Sequence, residues 1–298
     1  MKTFLSIVTA LLTFTTTVWA EDNNVVIREI VFDTETTGLY PDKGDRIIEI
    51  GAVELINKVR TGKTFHKYIN PEIDFPKSDV HNITSQSLTD KPTFDKIAQE
   101  WIDFVGDSNL IAHNALGFDM KFINHELKKA GHKEYKKERF VDTLLVAKNI
   151  FPTPKDAYVT TPNNLDALCE RFNIDNSERK KHGHGALHDA ELLADIYIKM
   201  SEYTDKPNFD AVKNTIDEAI KNNKKIKITY YSNPFFKNQI TTRTVIPHKL
   251  GLGSELKDKK LSKFKLKDNE VYLQAFCELD KDNRTFVVSR ILKIDIVE

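Results

Sequence analysis

The chain has 298 residues, 40% of them hydrophobic and 30% charged, with 44 basic and 44 acidic side chains. That composition excludes a disordered or low-complexity polymer and leaves room for one large or two ordinary domains. Zero net charge names no partner, but nineteen basic residues stand against thirteen acidic ones from Tyr203 onward, so the last third is mildly basic. Two cysteines, Cys169 and Cys277, are too few for a disulfide framework and read as small buried hydrophobes.

In chain order, residues 1–20 have a charged start at Lys2, an apolar run from Phe4 to Val18, and Val18-Trp19-Ala20 before Glu21-Asp22. This pattern predicts a cleaved signal peptide and an exported protein, periplasmic or secreted. The run is too short for a persuasive membrane span, so none is expected in the mature chain. A retained extension and a cytoplasmic protein form the alternative.

Val25 to Phe32 is β-branched and apolar, which predicts a buried strand, and Thr36-Thr37-Gly38 stops it. Asp33 and Glu35 close that strand two residues apart, and the period of two points both carboxylates to one side of the sheet. Unit charges about 5 Å apart repel by roughly 3 kcal/mol at an effective dielectric near 20. A divalent cation turns that repulsion into attraction, whereas an isolated acid pair is more often just a solvated strand end.

Ile47–Leu55 and Thr64–Ile69 read as second and third strands of a meander, separated by Asn57 to Gly62. Helical spacing follows over Thr93–Val105, a short apolar strand over Leu110–His113, and helix again over Phe118–Ala130. Asp119 falls in the first turn of this helix, where the dipole favours a carboxylate. Asp142 and Asn164 are read as N-caps of helices over 144–150 and 165–172. Glu178 to Gly185 reads as a polar, glycine-broken loop, and Ala186–Met200 as a helix with Asp189 one turn in. Strands alternating with helices after a meander predict a mixed α/β sheet flanked by helices.

Three ordered stretches, Phe32-Asp33-Thr34-Glu35-Thr36-Thr37-Gly38-Leu39, His113-Asn114-Ala115-Leu116-Gly117-Phe118-Asp119, and His184-Gly185-Ala186-Leu187-His188-Asp189-Ala190, resemble the motifs of the DEDDh 3′-to-5′ exonucleases, and within them the proofreading epsilon subunits of bacterial DNA polymerase III. The likeness runs from about Ile27 to Met200. It implies an RNase H-like fold, Asp33, Glu35, Asp119 and Asp189 as metal-binding carboxylates, and His184 as general base.

Thr36 and Asn114 join them as expected substrate contacts. The implied cofactors are two Mg²⁺ or Mn²⁺ ions, because hard cations prefer oxygen and a pair of them stabilises both the attacking and the leaving oxygen of a phosphodiester. The implied substrates are single-stranded 3′ ends of DNA or RNA, DNA being favoured, and a polymerase is an implied partner. Two departures stand out: the second motif carries one residue more than the family's, which Gly117 is expected to absorb as a bulge, and a loop about two residues longer before the third offers His182 as a rival base. The rival function is a nucleic-acid-binding or ligand-sensing protein with a degenerate nuclease site.

After a connector at 202–207, Phe209–Asn222 predicts an amphipathic helix. Lys225–Tyr231, Thr241–Pro247, Val271–Cys277, Phe286–Ser289 and Ile291–Val297 predict strands. Their order and spacing resemble a WYL domain, which implies a small β-barrel-like module at 208–298 that takes a small ligand or nucleic acid, with Arg243, Arg284 and Arg290 as contacts. Ordinary surface ion pairs are the competing role for those arginines. Lys257 to Lys267, alternating basic and apolar, could hold phosphates. The expected organisation is thus a leader at 1–20, an exonuclease domain at 25–201, a linker, and the WYL-like domain.

Overall fold

A computed structural model describes residues 26–77, 80–152, 162–232, 239–256 and 266–297. The expected leader and residues 257–265 of the basic stretch lie outside the described residues.

The first layer is a sheet of β1 (Arg28–Thr36), β2 (Ile47–Ile56), β3 (Val59–Tyr68), β4 (Asn109–Ala112) and β5 (Phe140–Asp142), in the order β3-β2-β1-β4-β5. β1, β2 and β3 form the antiparallel meander, while β4 and β5 run parallel to β1. The third strand starts five residues earlier than its sequence pattern suggests. Asn57 and Lys58 close a two-residue hairpin with φ of 49° and 63°, a turn usually flagged by glycine and here carrying none.

Helices α1 (Phe94–Val105) and α2 (Asp119–Lys129) cover one face of this sheet, meeting Ile30 and Phe32 of β1 in a core with Trp101, Phe122 and Leu127. The other face, through Val31, Val53 and Leu55, takes α3 (Thr143–Ile150), α4 (Leu165–Phe172) and α6 (Ala186–Ser201). The segment expected as a loop contains a short helix, α5 (Ser177–His182), because Glu178-Arg179-Lys180-Lys181 is a run of good helix formers ended by Gly183. The result is an RNase H-like mixed sheet with helices on both sides.

A second unit follows: α7 (Phe209–Lys221), then β6 (Lys225–Tyr231), β7 (Ile240–Leu252), β8 (Val271–Cys277), β9 (Asp282–Val287) and β10 (Ile291–Val297). The strands form an antiparallel sheet in the order β10-β6-β7-β8-β9. Val212, Ile216 and Ala219 of α7 pack on it. β9 lies earlier than expected, and among the described residues β9 and β10 do not pair, so the sheet is open where a barrel-like module was expected.

The connector is not a free tether. Tyr203 stacks on Phe172 at 6.2 Å, Lys206 donates to the Asn149 carbonyl at 2.8 Å, and Tyr231 and Leu292 enter the core of the first unit beside Phe151. Among the described residues no helix is long and apolar enough to cross a membrane.

Candidate active site

Alternation along β1 sends Ile30 and Phe32 into the α1/α2 core and Val31 toward α6. Asp33 and Glu35 continue the Val31 side. Asp33 pairs across the ladder with Gly51, and a Cβ on Gly51 would collide with the backbone of Ala186 and Leu187. The missing side chain therefore lets the start of α6 settle directly onto β1 and β2, which brings Asp189 against the end of β1. Glu35, His184 and Asp189 each offer a ligand atom, and these atoms all lie within 4.8 Å of one another.

Asp119 comes from the opposite layer. It opens α2, is 2% exposed, and its Oδ1 accepts a hydrogen bond from Thr34 Oγ1 at 2.8 Å. The extra residue of the second motif does not spoil this aim. Asn114 adopts φ +66° and starts a turn in which Gly117 and Phe118 both donate to its carbonyl. A side chain on Gly117 would strike the Asn114 carboxamide. Asp142 holds the turn by accepting from the Asn114 and Leu116 amides at 3.2 and 3.1 Å while capping α3 through Leu144. An expected N-cap thus also fixes the second motif.

Asp33, Glu35, Asp119 and Asp189 consequently share one cluster. Burial, then the charges of Asp119, Glu35 and Asp189, holds the Asp33 carboxyl well above its usual range. Burial, followed by Asp189 and Glu49, pushes Glu35 up to about 8. Burial likewise raises Asp119 to about 7, and it raises Asp189 against the pull of Arg179. Burial is the largest cause in all four, and neighbouring carboxylates add to it at Asp33, Glu35 and Asp119. An oxygen-rich donor set under such mutual repulsion fits a hard divalent cation, and no cysteine contributes.

His184 sits 3.6 Å from Asp189 Oδ2 through Nδ1. Burial and then the neighbouring Arg179 guanidinium keep its pKa below the usual imidazole value. The rival His182 is 63% exposed and paired with Glu178 at 3.4 Å. Thr36 and Asn114 are occupied locally, the first by donating to the Gly38 carbonyl at 2.6 Å and the second against Gly117.

Sequence reasoning missed three participants. Thr34 orients Asp119. Glu49 lies across the ladder from Glu35 and bonds His66 Nε2 at 2.7 Å. Arg179 joins Asp189, Asp166 and His184. Only Thr34 carried a signal, its place between two acids of one motif.

In the second unit, Arg243 and Arg284 converge on Asp280 at 2.6 and 3.0 Å, as ion pairs. Arg290 instead lines a cavity of about 90 Å³ with Ile150, Pro152, Tyr231, Glu270 and Ser289, between the two units.

With this geometry in place, comparison with known proteins gives a match to the exonuclease family over residues 30–197. The chain belongs to the exonuclease family. Two relatives are the DNA polymerase III subunits epsilon of Rickettsia felis and Escherichia coli. The first is 50% identical over 180 residues, 59% of this chain and 74% of that protein. The second is 41% identical over 188 residues, 60% and 73% of the two chains.

Among solved structures, E. coli exonuclease I in complex with an oligonucleotide is 16% identical with a TM-score of 0.45, over 91% of this chain and 66% of that one. This exonuclease, a 3′-to-5′ enzyme like the family its motifs resemble, brings Glu35 and Asp189 together with His184 and sets Asp33 and Asp119 within electrostatic reach of these acids. Its C-terminal sheet begins after the family match ends at residue 197.

Proposed function

We propose that this exonuclease removes nucleoside monophosphates from single-stranded 3′ ends, DNA in preference to RNA. Asp33, Glu35, Asp119 and Asp189 would hold two divalent cations, Mg²⁺ or Mn²⁺. The observation that carries the reading is the convergence of Glu35, His184 and Asp189 within 4.8 Å, the first from the end of β1 and the other two from the loop-and-helix segment at α6, far from it in sequence. Bound cations supply charge stabilisation for the attacking and leaving oxygens of the ester. The chain's own residues do the rest.

His184 takes the proton of the attacking water at a ring nitrogen, a task suited to an imidazole kept neutral at physiological pH. Thr34 fixes the rotamer of Asp119, and the close seating of α6 on Gly51 fixes Asp189. The exposed apolar side chains of Leu39 and Tyr40, which follow β1, and of Val80, whose carbonyl accepts from the His184 amide at 2.8 Å, supply surfaces for unpaired bases.

The names of the relatives support DNA as the substrate and a polymerase as partner. The pattern of residues 1–20 supports an exported enzyme. For the C-terminal unit, a WYL-like role with a small ligand or nucleic acid rests on Arg290, whose cavity also holds Glu270 and Ser289. Arg243 and Arg284 already share Asp280.

End-labelled single-stranded DNA and RNA, incubated with Mg²⁺, with Mn²⁺ and with chelator, test the reading. Stepwise shortening from the 3′ end is expected with either cation and none with chelator. Persistence of full-length DNA under all three conditions would refute it.

A further inference from the structure

Arg179 is the cation already built into the carboxylate cluster, and it uses the atoms that the chemistry needs. Its Nε donates to Asp189 Oδ1 at 2.8 Å and its Nη1 to Asp166 Oδ2 at 2.7 Å. Its Nη2 lies 2.9 Å from Nε2 and 3.1 Å from Nδ1 of His184. The side chain is 9% exposed. A guanidinium has five donors, no acceptor and no accessible neutral form. It is therefore a permanent positive charge held on a candidate ligand carboxylate and against the imidazole ring that would accept a proton.

We infer that Arg179 is a resident counter-cation that competes with the divalent ion for Asp189 and withholds His184 until that ion has displaced it, a form of regulation that rests on the metal-site reading proposed above. Two cations of this kind cannot both use the Asp189 carboxylate and the imidazole beside it without repulsion. Arg179 is the one with somewhere to go. Asp166 lies outside the carboxylate cluster, its side chain is 43% exposed, and Asn176 Nδ2 holds its Oδ1 at 2.8 Å. When Arg179 leaves Asp189 and His184, Asp166 keeps its charge paired.

Coupling follows directly. Entry of the ion frees the base, so hydrolytic competence arrives together with the cation and not before it.

Calorimetric titration of Mn²⁺ into the full chain, without substrate, tests this independently of turnover. Arg179→Gln is expected to tighten Mn²⁺ binding at least tenfold, and Asp166→Asn, which removes the refuge, to weaken it severalfold. Arg179→Lys keeps the charge but cannot bridge three partners at once, and is expected to tighten binding two- to threefold. It serves in place of Arg179→Gln if circular dichroism shows that variant unfolded.

Unchanged or weaker binding in the folded Arg179 variants overturns the competition while leaving the metal site standing. Failure of the wild-type chain to bind Mn²⁺ overturns both.

Discussion

Glu35→Gln separates the electrostatic account of the site from a purely steric one. The Glu35 carboxyl has an ordinary value of 4.5 and is pushed up to about 8 by burial first and by Asp189 and Glu49 next. Below pH 4.5 the folded and unfolded chains both keep this proton. As pH rises the unfolded chain loses it while the folded chain holds it, so stability falls through the window and the deficit is complete only above about pH 8.

The interval corresponds to about 5 kcal/mol. Because Glu35 titrates as one member of a group with Asp33 and Asp189, a single substitution recovers about half, or about 2–3 kcal/mol. At about 2–4 °C per kcal/mol for a chain of this size class, the melting temperature of Glu35→Gln in chelator should exceed wild type by about 5–10 °C at pH 9. At pH 4.5 the two should melt together. Thermal unfolding followed by circular dichroism at both pH values measures this. An equal offset at the two pH values, or a variant less stable at pH 9, would refute the claim that clustered, desolvated carboxylates strain the fold.

Other substitutions probe the supports of the site. Thr34→Val keeps shape but strips buried Asp119 of its hydroxyl donor, which should cost about 1–3 kcal/mol in urea unfolding and lower kcat more than it raises KM. His184→Ala should lower cleavage of labelled DNA by at least about a hundredfold, while His182→Ala leaves it near wild type, since general-base groups typically contribute 10²–10⁴; the reverse result would reassign the base. Arg46→Ala leaves Glu126 buried without the guanidinium that now binds it at 2.6 and 2.9 Å, and should destabilise the chain by about 3–5 kcal/mol in denaturant titration. Arg171→Ala removes the cation lying 4.3 and 4.9 Å from the ring centres of Phe151 and Tyr231; limited proteolysis should then cut between the two units faster than in wild type.

Local signals were strong enough to specify much of this protein. Period-two alternation fixed β1 and the shared face of Asp33 and Glu35, helical spacing gave α1, α2, α6 and α7 to within a residue or two, and Asp142 and Asn164 cap the helices they were expected to cap. The ordered motifs singled out four acids that the fold then brings near one another, because residue type and order are read directly from the chain. Elements set by turn chemistry or by neighbours were less legible. The Asn57-Lys58 hairpin lacks its usual glycine, and the run from Ser177 to His182 reads equally well as a polar loop.

Packing alone decided the rest. No pattern in the chain says that Thr34 meets Asp119 across eighty-five positions, that Gly51 leaves space for the start of α6, or that Arg179 sits among the acids and not in solvent with its lysine neighbours. The residue string determines which chemical groups exist and how each segment presents them. Which of those groups share a dielectric environment, and so which pKa values shift and which charges compete, depends on distances between distant segments that only the folded chain sets.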